Sequence, residues 1–331
     1  MTREEKILYH INKKGYGIEI GPSFNPIASK KNGYKVSVID HLPKNQLIEK
    51  YKALNMSDEN ITKIEDVDYV WDGRPYAELT RKPKFYDWIN ASHVIEHTPD
   101  LIAFLIDCDG ILKNDGVLSL VVPDSRYCFD CFRPITGLSK IIDAHLCKTK
   151  IHTPGTAAEY LLNQVSKGER ITWYSQFAGE YSCRISLQEA QNVMNNIRNN
   201  KEYIDLHAWV FTPSSFRLLI NDLYNLQFVP FKEVLFFPTE GCEFYVTLSR
   251  KGGNNHFDRL QMLKAMRAEI VAGSTDPILI VPPSNKSQHD FYGLAISGIK
   301  TISNEGWISF FKKSFRWSFG KIFSRFHFEP K

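Results

Sequence analysis

The sequence predicts an α/β protein with a doubly wound, mostly parallel sheet, a C-terminal antiparallel hairpin, a helical insertion and a C-terminal tail. Three observations lead to this prediction. The first 120 residues alternate short apolar runs with segments whose apolar residues recur every three or four positions. This pattern stops after Pro123 and returns near residue 212. The chain has 331 residues, of which 43% are apolar, enough for one large core with appendages.

Five apolar runs in the first part of the chain are typical of buried strands. Two segments between them, 45–54 and 101–113, have the apolar spacing of helices. Strands that alternate with helices form crossover units, in which neighbouring strands run parallel. The predicted strands are 16–21, 35–40, 68–73, 86–92 and 116–123.

The remainder of the chain divides into an insertion, a hairpin and a tail. Residues 124–208 mix aromatic, basic and thiol side chains without a period, and only 157–165 and 186–200 have helical spacing. A helix that Thr212 or Ser214 can cap follows, and then a strand hairpin at 228–237 and 242–250. An insertion after the fifth strand lies above the carboxyl edge, where open sheets bind ligands. The predicted divisions are 1–250 with the acceptor-binding insertion 124–208, a helix and linker at 251–303, and a tail at 304–331.

Residues 17–24, GIEIGPSF, begin like a nucleotide-binding loop and then depart from one. Gly21 allows a tight turn, and Asp40 ends the next strand, where a carboxylate can accept both hydroxyls of a ribose. Ser23 and Asn25 carry side chains where a dinucleotide fingerprint has glycines, and Pro22 lacks an N–H donor. The loop therefore predicts an adenosine-containing cofactor without a diphosphate.

Four stretches resemble the class I S-adenosylmethionine-dependent methyltransferases. They are IEIGPSFNP, VIDH, VDYVWDG and the long run YDWINASHVIEHTPDLIAFLIDCDGILKNDGVLSLVVPD. The resemblance covers residues 15–124 and, more loosely, the hairpin after residue 211. It implies a Rossmann-like methyltransferase fold and S-adenosyl-L-methionine as the cofactor.

The resemblance also implies a set of cofactor contacts. Glu19 and Gly21 would face the methionine end, Asp40 would hold the ribose, and Asp72 would reach the adenine amine. Their neighbours at the same strand ends complete the predicted cofactor site: Pro22, Ser23, His41, Ala91, Ser92 and His97.

The expected reaction is O-methylation of a glycan or lipid-linked glycan precursor. The glycan follows from a resemblance to methyltransferases of bacterial surface-polysaccharide biosynthesis, and from a polar, aromatic insertion that suits acidic or phosphorylated sugars. Methylation of a small metabolite, or a catalytically idle binding module, are the alternatives. The side chains predicted to line the acceptor are Arg126, Tyr127, Trp173, Tyr174, Arg184 and Trp209.

An alcohol acceptor needs a base that removes its proton during attack, and histidine serves that role near neutral pH. The insertion and its end supply the two candidate histidines, His207 and His145. Asp124, at the carboxyl end of the fifth strand, is the third candidate.

Two patterns have the residue types of a metal site, and neither leads us to predict one. His93, Glu96 and His97 spell H-x-x-E-H, but the motif straddles a strand end and a helix start, which disfavours a zinc peptidase. Relatives with E-x-x-E-H here bind a divalent metal, and His93 replaces the first acid of that pattern. Cys128 and Cys131 precede an H-x-C pair of unusual spacing, His145 and Cys147, so packing thiols are the preferred interpretation.

All of the net charge of +4 lies after residue 303, in a segment with six basic and two acidic residues. Residues 304–328 combine these charges with an aromatic face, which predicts a helix on an anionic membrane surface. Packing on the domain or in a homodimer is the alternative, and nucleic acid is disfavoured because no basic stripe enters the fold. The charged N-terminus and the six scattered cysteines predict a cytoplasmic protein. The tail predicts a peripheral position at the inner face of the cell membrane.

Overall fold

Nine strands form two sheets in the part of the chain that the structure describes. The structure is a computed structural model, and it describes residues 1–201, 203–253 and 258–273. The predicted linker beyond residue 273 and the tail at 304–331 lie outside the described residues. The strands are β1 (Tyr16–Ile20), β2 (Lys35–Asp40), β3 (Tyr69–Val70), β4 (Tyr86–Ser92), β5 (Leu112–Pro123), β6 (Val165–Lys167), β7 (Tyr181–Cys183), β8 (Lys232–Glu240) and β9 (Glu243–Ser249).

Ten α-helices and three single-turn 3₁₀ helices are present in the same described ranges. None of these helices is long and apolar enough to cross a membrane. The 3₁₀ turns are Lys30–Asn32, Ile95–His97 and Ser125–Tyr127. The α-helices are α1 (Arg3–Ile7), α2 (Lys44–Ala53), α3 (Asp58–Ile61), α4 (Tyr76–Thr80), α5 (Leu101–Ile111), α6 (Leu138–Leu146), α7 (Pro154–Leu162), α8 (Leu187–Asn200), α9 (Pro213–Asn225) and α10 (Arg259–Gly273).

The main sheet has the strand order β3-β2-β1-β4-β5-β9-β8. The strands β1 to β5 run parallel, and β9 is antiparallel to both of its neighbours, β5 and β8. The strand order reverses between β1 and β4, where an open sheet leaves a crevice at its carboxyl edge. The predicted fold class, a doubly wound parallel sheet that ends in an antiparallel hairpin, is confirmed.

The core lies between this sheet and the helices that cover it. Trp88 and Ile89 of β4 and Leu118 and Leu120 of β5 are fully buried, because parallel strands with helical crossovers are covered on both faces. Helix α5 begins at Asp100, whose side chain accepts a hydrogen bond from Ala103 N–H, at 2.9 Å.

The predicted strand at 68–73 is the one that shortens most. Only Tyr69 and Val70 pair with β2, and the chain then leaves the sheet through Gly73, at φ +90°. That run has too few apolar residues to extend the strand at an edge of the sheet.

The insertion has a small core of its own. Ala157 of α7, Ile197 of α8 and Leu206 are buried together. The two helical segments predicted there correspond to α7 and α8, whereas α6 and the β6–β7 pair were not predicted. After the insertion, α9 begins at Thr212, one of the two predicted caps.

Helix α10 packs along α9 and is the part of the predicted 251–303 segment that the structure describes. Glu269 accepts hydrogen bonds from the backbone N–H and the hydroxyl of Ser214, the latter at 2.7 Å. Arg259 pairs with Asp222 at 2.8 Å. These contacts attach α10 to the sheet domain through the first and last turns of α9.

Candidate functional site

The loop after β1 turns tightly at the carboxyl edge of the sheet. Gly21 and Ser23 have φ angles of +60° and +50°, and Gly21 N–H donates to Ile39 C=O at 2.8 Å. A Cβ atom at Gly21 would lie 3.2 Å from Val94, so the position is tight as well as left-handed. The turn that the sequence predicts at Gly21 is present.

Glu19 lies beneath this loop and holds it in place. Its carboxylate accepts hydrogen bonds from the backbone N–H groups of Ile27 (2.8 Å) and Ala28 (3.2 Å), and from Asn90 (3.0 Å). Only 2% of Glu19 is exposed, and burial raises the pKa of its carboxyl to about 7. Glu19 therefore fixes the path of the loop from below.

Asp40 joins the end of β2 to the same loop. One oxygen accepts a hydrogen bond from Ser23 N–H at 3.2 Å, and the other lies 2.8 Å from His41 N and 2.6 Å from His41 Nδ1. The residue is buried, whereas His41 is exposed. A hydrogen bond thus joins the loop after β1 to the carboxyl end of β2, the two segments on which the predicted ribose site depends.

Three other predicted cofactor residues lie farther along this edge. Asp72 follows β3 in an exposed turn, where it pairs with Arg74 at 2.7 Å. Ala91 and Ser92 end β4, and the Ser92 hydroxyl accepts a hydrogen bond from Arg3 of α1 at 3.0 Å. Pro22, the remaining loop residue, is half-buried between Gly21 and Ser23.

The H-x-x-E-H segment does not form one helix. His93 has a left-handed φ of +53°, and the 3₁₀ turn Ile95–His97 starts only afterwards. His93 Nε2 lies 2.6 Å from Glu243 of β9. Burial by itself would lower the pKa of His93, but Glu243 and Glu96 raise it to about 9.

Glu96, His97 and His207 form a cluster beyond the end of β4, here called the Glu96 cluster. One potential ligand atom from each residue lies within 4.8 Å of the other two. Glu96 is fully buried, and neither of its oxygens accepts a well-aligned hydrogen bond within the described ranges. Its nearest ring nitrogens are His93 Nδ1 at 3.4 Å and His97 Nε2 at 3.9 Å.

Backbone hydrogen bonds hold the segment of His207 against this turn. Ala208 N–H donates to Glu96 C=O at 2.7 Å, and the indole N–H of Trp209 donates to Thr98 C=O at 2.6 Å. Phe211 forms a bridge with Asp124 at the end of β5. A residue more than one hundred positions away in sequence is thereby placed beside Glu96.

Each histidine of the Glu96 cluster faces a carboxylate with its other ring nitrogen. His207 Nδ1 is hydrogen-bonded to Asp130, which also pairs with Arg133 at 2.9 Å. His97 Nδ1 lies 2.8 Å from Asp205. His97 Nε2 lies 3.9 Å from Glu96, and no sequence motif indicated the roles of Asp130 and Asp205.

The other two predicted bases are engaged elsewhere. His145 of α6 lies with Nδ1 at 3.0 Å from Asp100, the cap of α5. Asp124 is fully buried and binds Arg126 and the hydroxyl of Thr239, each at 2.5 Å. Of the three predicted bases, His207 is the one that belongs to the Glu96 cluster.

Several side chains predicted to line the acceptor are packed inside the protein instead. Trp173 and Trp209 are only 4% and 3% exposed, and Trp209 packs in the main core of the sheet domain. Arg126 is held by Asp124, whereas Tyr174 is exposed. The prediction that both tryptophans face a sugar is therefore wrong.

The cysteines are free thiols in different environments. Cys128 is buried and Cys131 half-buried, which fits packing residues, but Cys147 is exposed. The interpretation of all of them as packing thiols is wrong for Cys147, which lies just past the end of α6. In the described ranges these cysteines do not gather with His145 into a metal-binding group.

The chain matches no protein-family model and no curated protein. Its structure is similar to an S-adenosylmethionine-dependent methyltransferase from Mesorhizobium loti, with 10% identity and a TM-score of 0.37 over 74% of this chain and 97% of that chain. It is also similar to an S-adenosylmethionine-dependent methyltransferase from Aquifex aeolicus, with 10% identity and a TM-score of 0.36 over 74% of this chain and 88% of that chain. Likenesses at this identity and TM-score carry no argument about function, and the function proposed below rests on the residues of this chain.

Proposed function

We propose that the protein is an S-adenosyl-L-methionine-dependent methyltransferase. The observation that carries this proposal is the contact between Asp40 and Ser23 N–H, which joins the glycine turn after β1 to a carboxylate at the end of β2. This pair stands at the carboxyl edge of a doubly wound sheet, where such folds bind adenosine-containing ligands. A loop with Ser23 and without a glycine run suits a nucleoside better than a diphosphate.

The Glu96 cluster supports an oxygen acceptor. In the proposed step a hydroxyl oxygen attacks the methyl carbon of the sulfonium, the new C–O bond forms, and the C–S bond breaks with its electron pair left on sulfur. The products are the methyl ether and S-adenosylhomocysteine, and the hydroxyl proton must leave at the site. A buried group of two imidazoles and one carboxylate at the end of β4 is suited to that task.

The proposed acceptor is a glycan or a lipid-linked glycan precursor. Support comes from the insertion 124–208, which stands after β5 and exposes polar side chains together with Tyr174. A small metabolite is an equally good acceptor for the same cluster. A catalytically idle binding module is the third candidate, and a cofactor-binding experiment distinguishes it first.

The first experiment measures cofactor binding by isothermal titration calorimetry. We expect wild-type protein to bind S-adenosylmethionine, and Asp40→Ala to weaken binding by about 1.5 to 3 kcal/mol, as when a hydrogen bond to a charged group is lost. Asp58→Ala, at an exposed aspartate of α3, is the matched control and should bind normally. Absence of binding by the wild type would contradict the proposal, and equal affinity in Asp40→Ala would remove Asp40 from the site.

A second experiment identifies the acceptor class. Lipid-linked glycans, free glycans and small hydroxylated metabolites are incubated with the protein and cofactor, and mass spectrometry records the addition of one methyl group. Methylation of a glycan supports the finer proposal. Methylation of small metabolites alone would replace it while leaving the methyltransferase proposal in place.

A further inference from the structure

Glu96 is a fully buried carboxylate whose oxygens have no well-aligned hydrogen bond in the described part of the chain. Burial of an ionised carboxylate is costly unless a partner compensates the charge. Two imidazoles, those of His97 and His207, stand beside it with ligand atoms no more than 4.8 Å apart. We propose that Glu96, His97 and His207 together bind one divalent first-row transition-metal cation.

The donor set fits that class of ion. Imidazole nitrogen and carboxylate oxygen are ligands of Zn²⁺, Mn²⁺ and Fe²⁺, whereas Mg²⁺ and Ca²⁺ prefer oxygen alone. Ligand atoms that share one ion at about 2.1 Å are roughly 3 to 3.5 Å apart. The 3.9 Å between His97 Nε2 and Glu96 Oε1 requires only a small movement of either side chain.

The surroundings of both histidines are those of metal ligands. In a ligating histidine, the N–H of the second ring nitrogen usually donates a hydrogen bond to a carboxylate, which fixes the tautomer and directs the first nitrogen at the ion. Asp130 does this for His207, and Asp205 lies in the same position for His97. The rings of the two histidines are nearly perpendicular, with centroids 4.6 Å apart, and a potential ligand atom of each lies within 4.8 Å of the other.

A competing account is that His93 compensates Glu96 without any ion. His93 Nδ1 lies 3.4 Å from Glu96, but its Nε2 is already paired with Glu243 at 2.6 Å. That account explains the charge of Glu96, but it gives no reason for the paired carboxylates behind His97 and His207. The two accounts differ in whether added metal binds at this place.

The role of the cation in the reaction rests on the proposed function. A hydroxyl oxygen of the acceptor that is bound to the cation has a lowered pKa and releases its proton to water as the methyl group is transferred. His207 then serves as a ligand rather than as the base that the sequence predicts. Asp130 and Asp205 act as positioning residues.

The test uses the full chain, stripped with a chelator and then titrated with Co²⁺ as the probe. Visible absorption follows coordination, and elemental analysis after dialysis gives the bound metal per chain. We expect about one ion per wild-type chain, loss of that ion in His97→Ala and His207→Ala, and roughly ten- to hundredfold weaker binding in Asp130→Asn. His10→Ala, at an exposed histidine of the N-terminal segment, and Cys147→Ser are the controls and should bind like the wild type.

Cofactor binding is measured on the same samples, so that failure of the metal proposal and failure of the proposed function are distinguished. A wild type that binds S-adenosylmethionine but no stoichiometric Co²⁺ would overturn the metal site alone. Equal Co²⁺ binding by His97→Ala and His207→Ala would also overturn it. Circular dichroism of each variant identifies any that fails to fold, and Asp205→Asn, at an exposed aspartate, then replaces it with the same ten- to hundredfold expectation.

Discussion

At the scale of single residues, the close approach of β1 to β4 depends on a glycine. Gly17 pairs with Trp88 in the sheet, and a Cβ atom added to Gly17 would lie 2.0 Å from the indole ring. Trp88 is fully buried and cannot swing aside without opening the core. Gly17 therefore makes room for the largest side chain of the central strand.

We expect Gly17→Ala to lower the free energy of unfolding by about 1 to 3 kcal/mol, because the added methyl overpacks the indole. Gly110→Ala is the matched comparison: its Cβ would make an ordinary 3.7 Å contact with Ala77, and alanine favours the helix α5 by up to about 1 kcal/mol. Urea denaturation measures both. A neutral Gly17→Ala would show that β1 and β4 do not pack as described.

At the scale of elements, α5 connects the carboxyl edge of the sheet to its opposite end. Its first turn is capped by Asp100, which also binds His145, and Asp109 near its last turn binds Arg250 after β9 and Lys84 before β4. Burial alone would raise the pKa of Asp109, but Arg250 and Lys84 hold it below its usual value. No basic partner lies beside Asp107 in the described part of the chain, and burial together with the negative charges of Asp100 and Glu78 raises its pKa to about 6.

These two aspartates should have opposite effects on stability. Because the pKa of Asp109 is lowered on folding, its ionised form stabilises the protein above about pH 4, and that contribution is lost as the pH falls further. Asp109→Asn should therefore cost about 1 kcal/mol at pH 7, after allowance for solvent screening, and less at pH 3. The pKa of Asp107 is raised, so ionisation lowers stability as the pH rises from about 4 to 6, and Asp107→Asn should stabilise the protein by about 1 kcal/mol at pH 7.

Urea denaturation of both variants and the wild type at pH 3, 5 and 7 checks this pair. The expected pattern is two free-energy differences of opposite sign at pH 7 that both shrink at pH 3. Differences of the same sign, or differences that do not change with pH, would refute the assigned charges.

At the scale of the whole molecule, the described residues form one doubly wound sheet domain to which α10 is attached. The proposal of a cytoplasmic enzyme at the inner face of a membrane depends on the segment 304–328, which lies outside the described residues. Its five basic residues and aromatic face remain the sequence-based reason for that proposal. Packing in a homodimer is the competing role.

We expect a chain that ends at Asn304 to fold, to bind the cofactor normally and to stop sedimenting with anionic vesicles. The full chain should sediment, and added salt should release it, because each basic residue near an anionic surface contributes about 1 kcal/mol that ions screen. Vesicle sedimentation and light scattering are measured on both chains. If the shortened chain changes from dimer to monomer while the full chain ignores vesicles, the tail binds protein rather than lipid.

The sequence by itself determined the fold class and the tight turn after β1, because both depend on local signals. The apolar period identified β1, β2, β4 and β5, with β2 and β4 correct at both ends. The turn at Gly21 follows from a backbone that only a small residue adopts easily. The short length of the edge strand β3 and the presence of helix α6 were not predicted, because strand pairing at a sheet edge and burial of one helix face depend on neighbouring elements in space. A local sequence pattern indicates neither the pairing of an edge strand nor the burial of one helix face.

The tertiary structure alone decided the composition of the Glu96 cluster. Glu96 and His97 are adjacent in sequence, but His207 joins them only because Ala208 N–H bonds to Glu96 C=O across the insertion. Asp130 and Asp205 belong to no sequence motif, and only the structure shows that each lies beside a ring nitrogen of a histidine of the Glu96 cluster. Charge compensation inside a protein depends on distances in space, and for that reason the sequence identified His207 as a candidate without identifying the carboxylate that it faces.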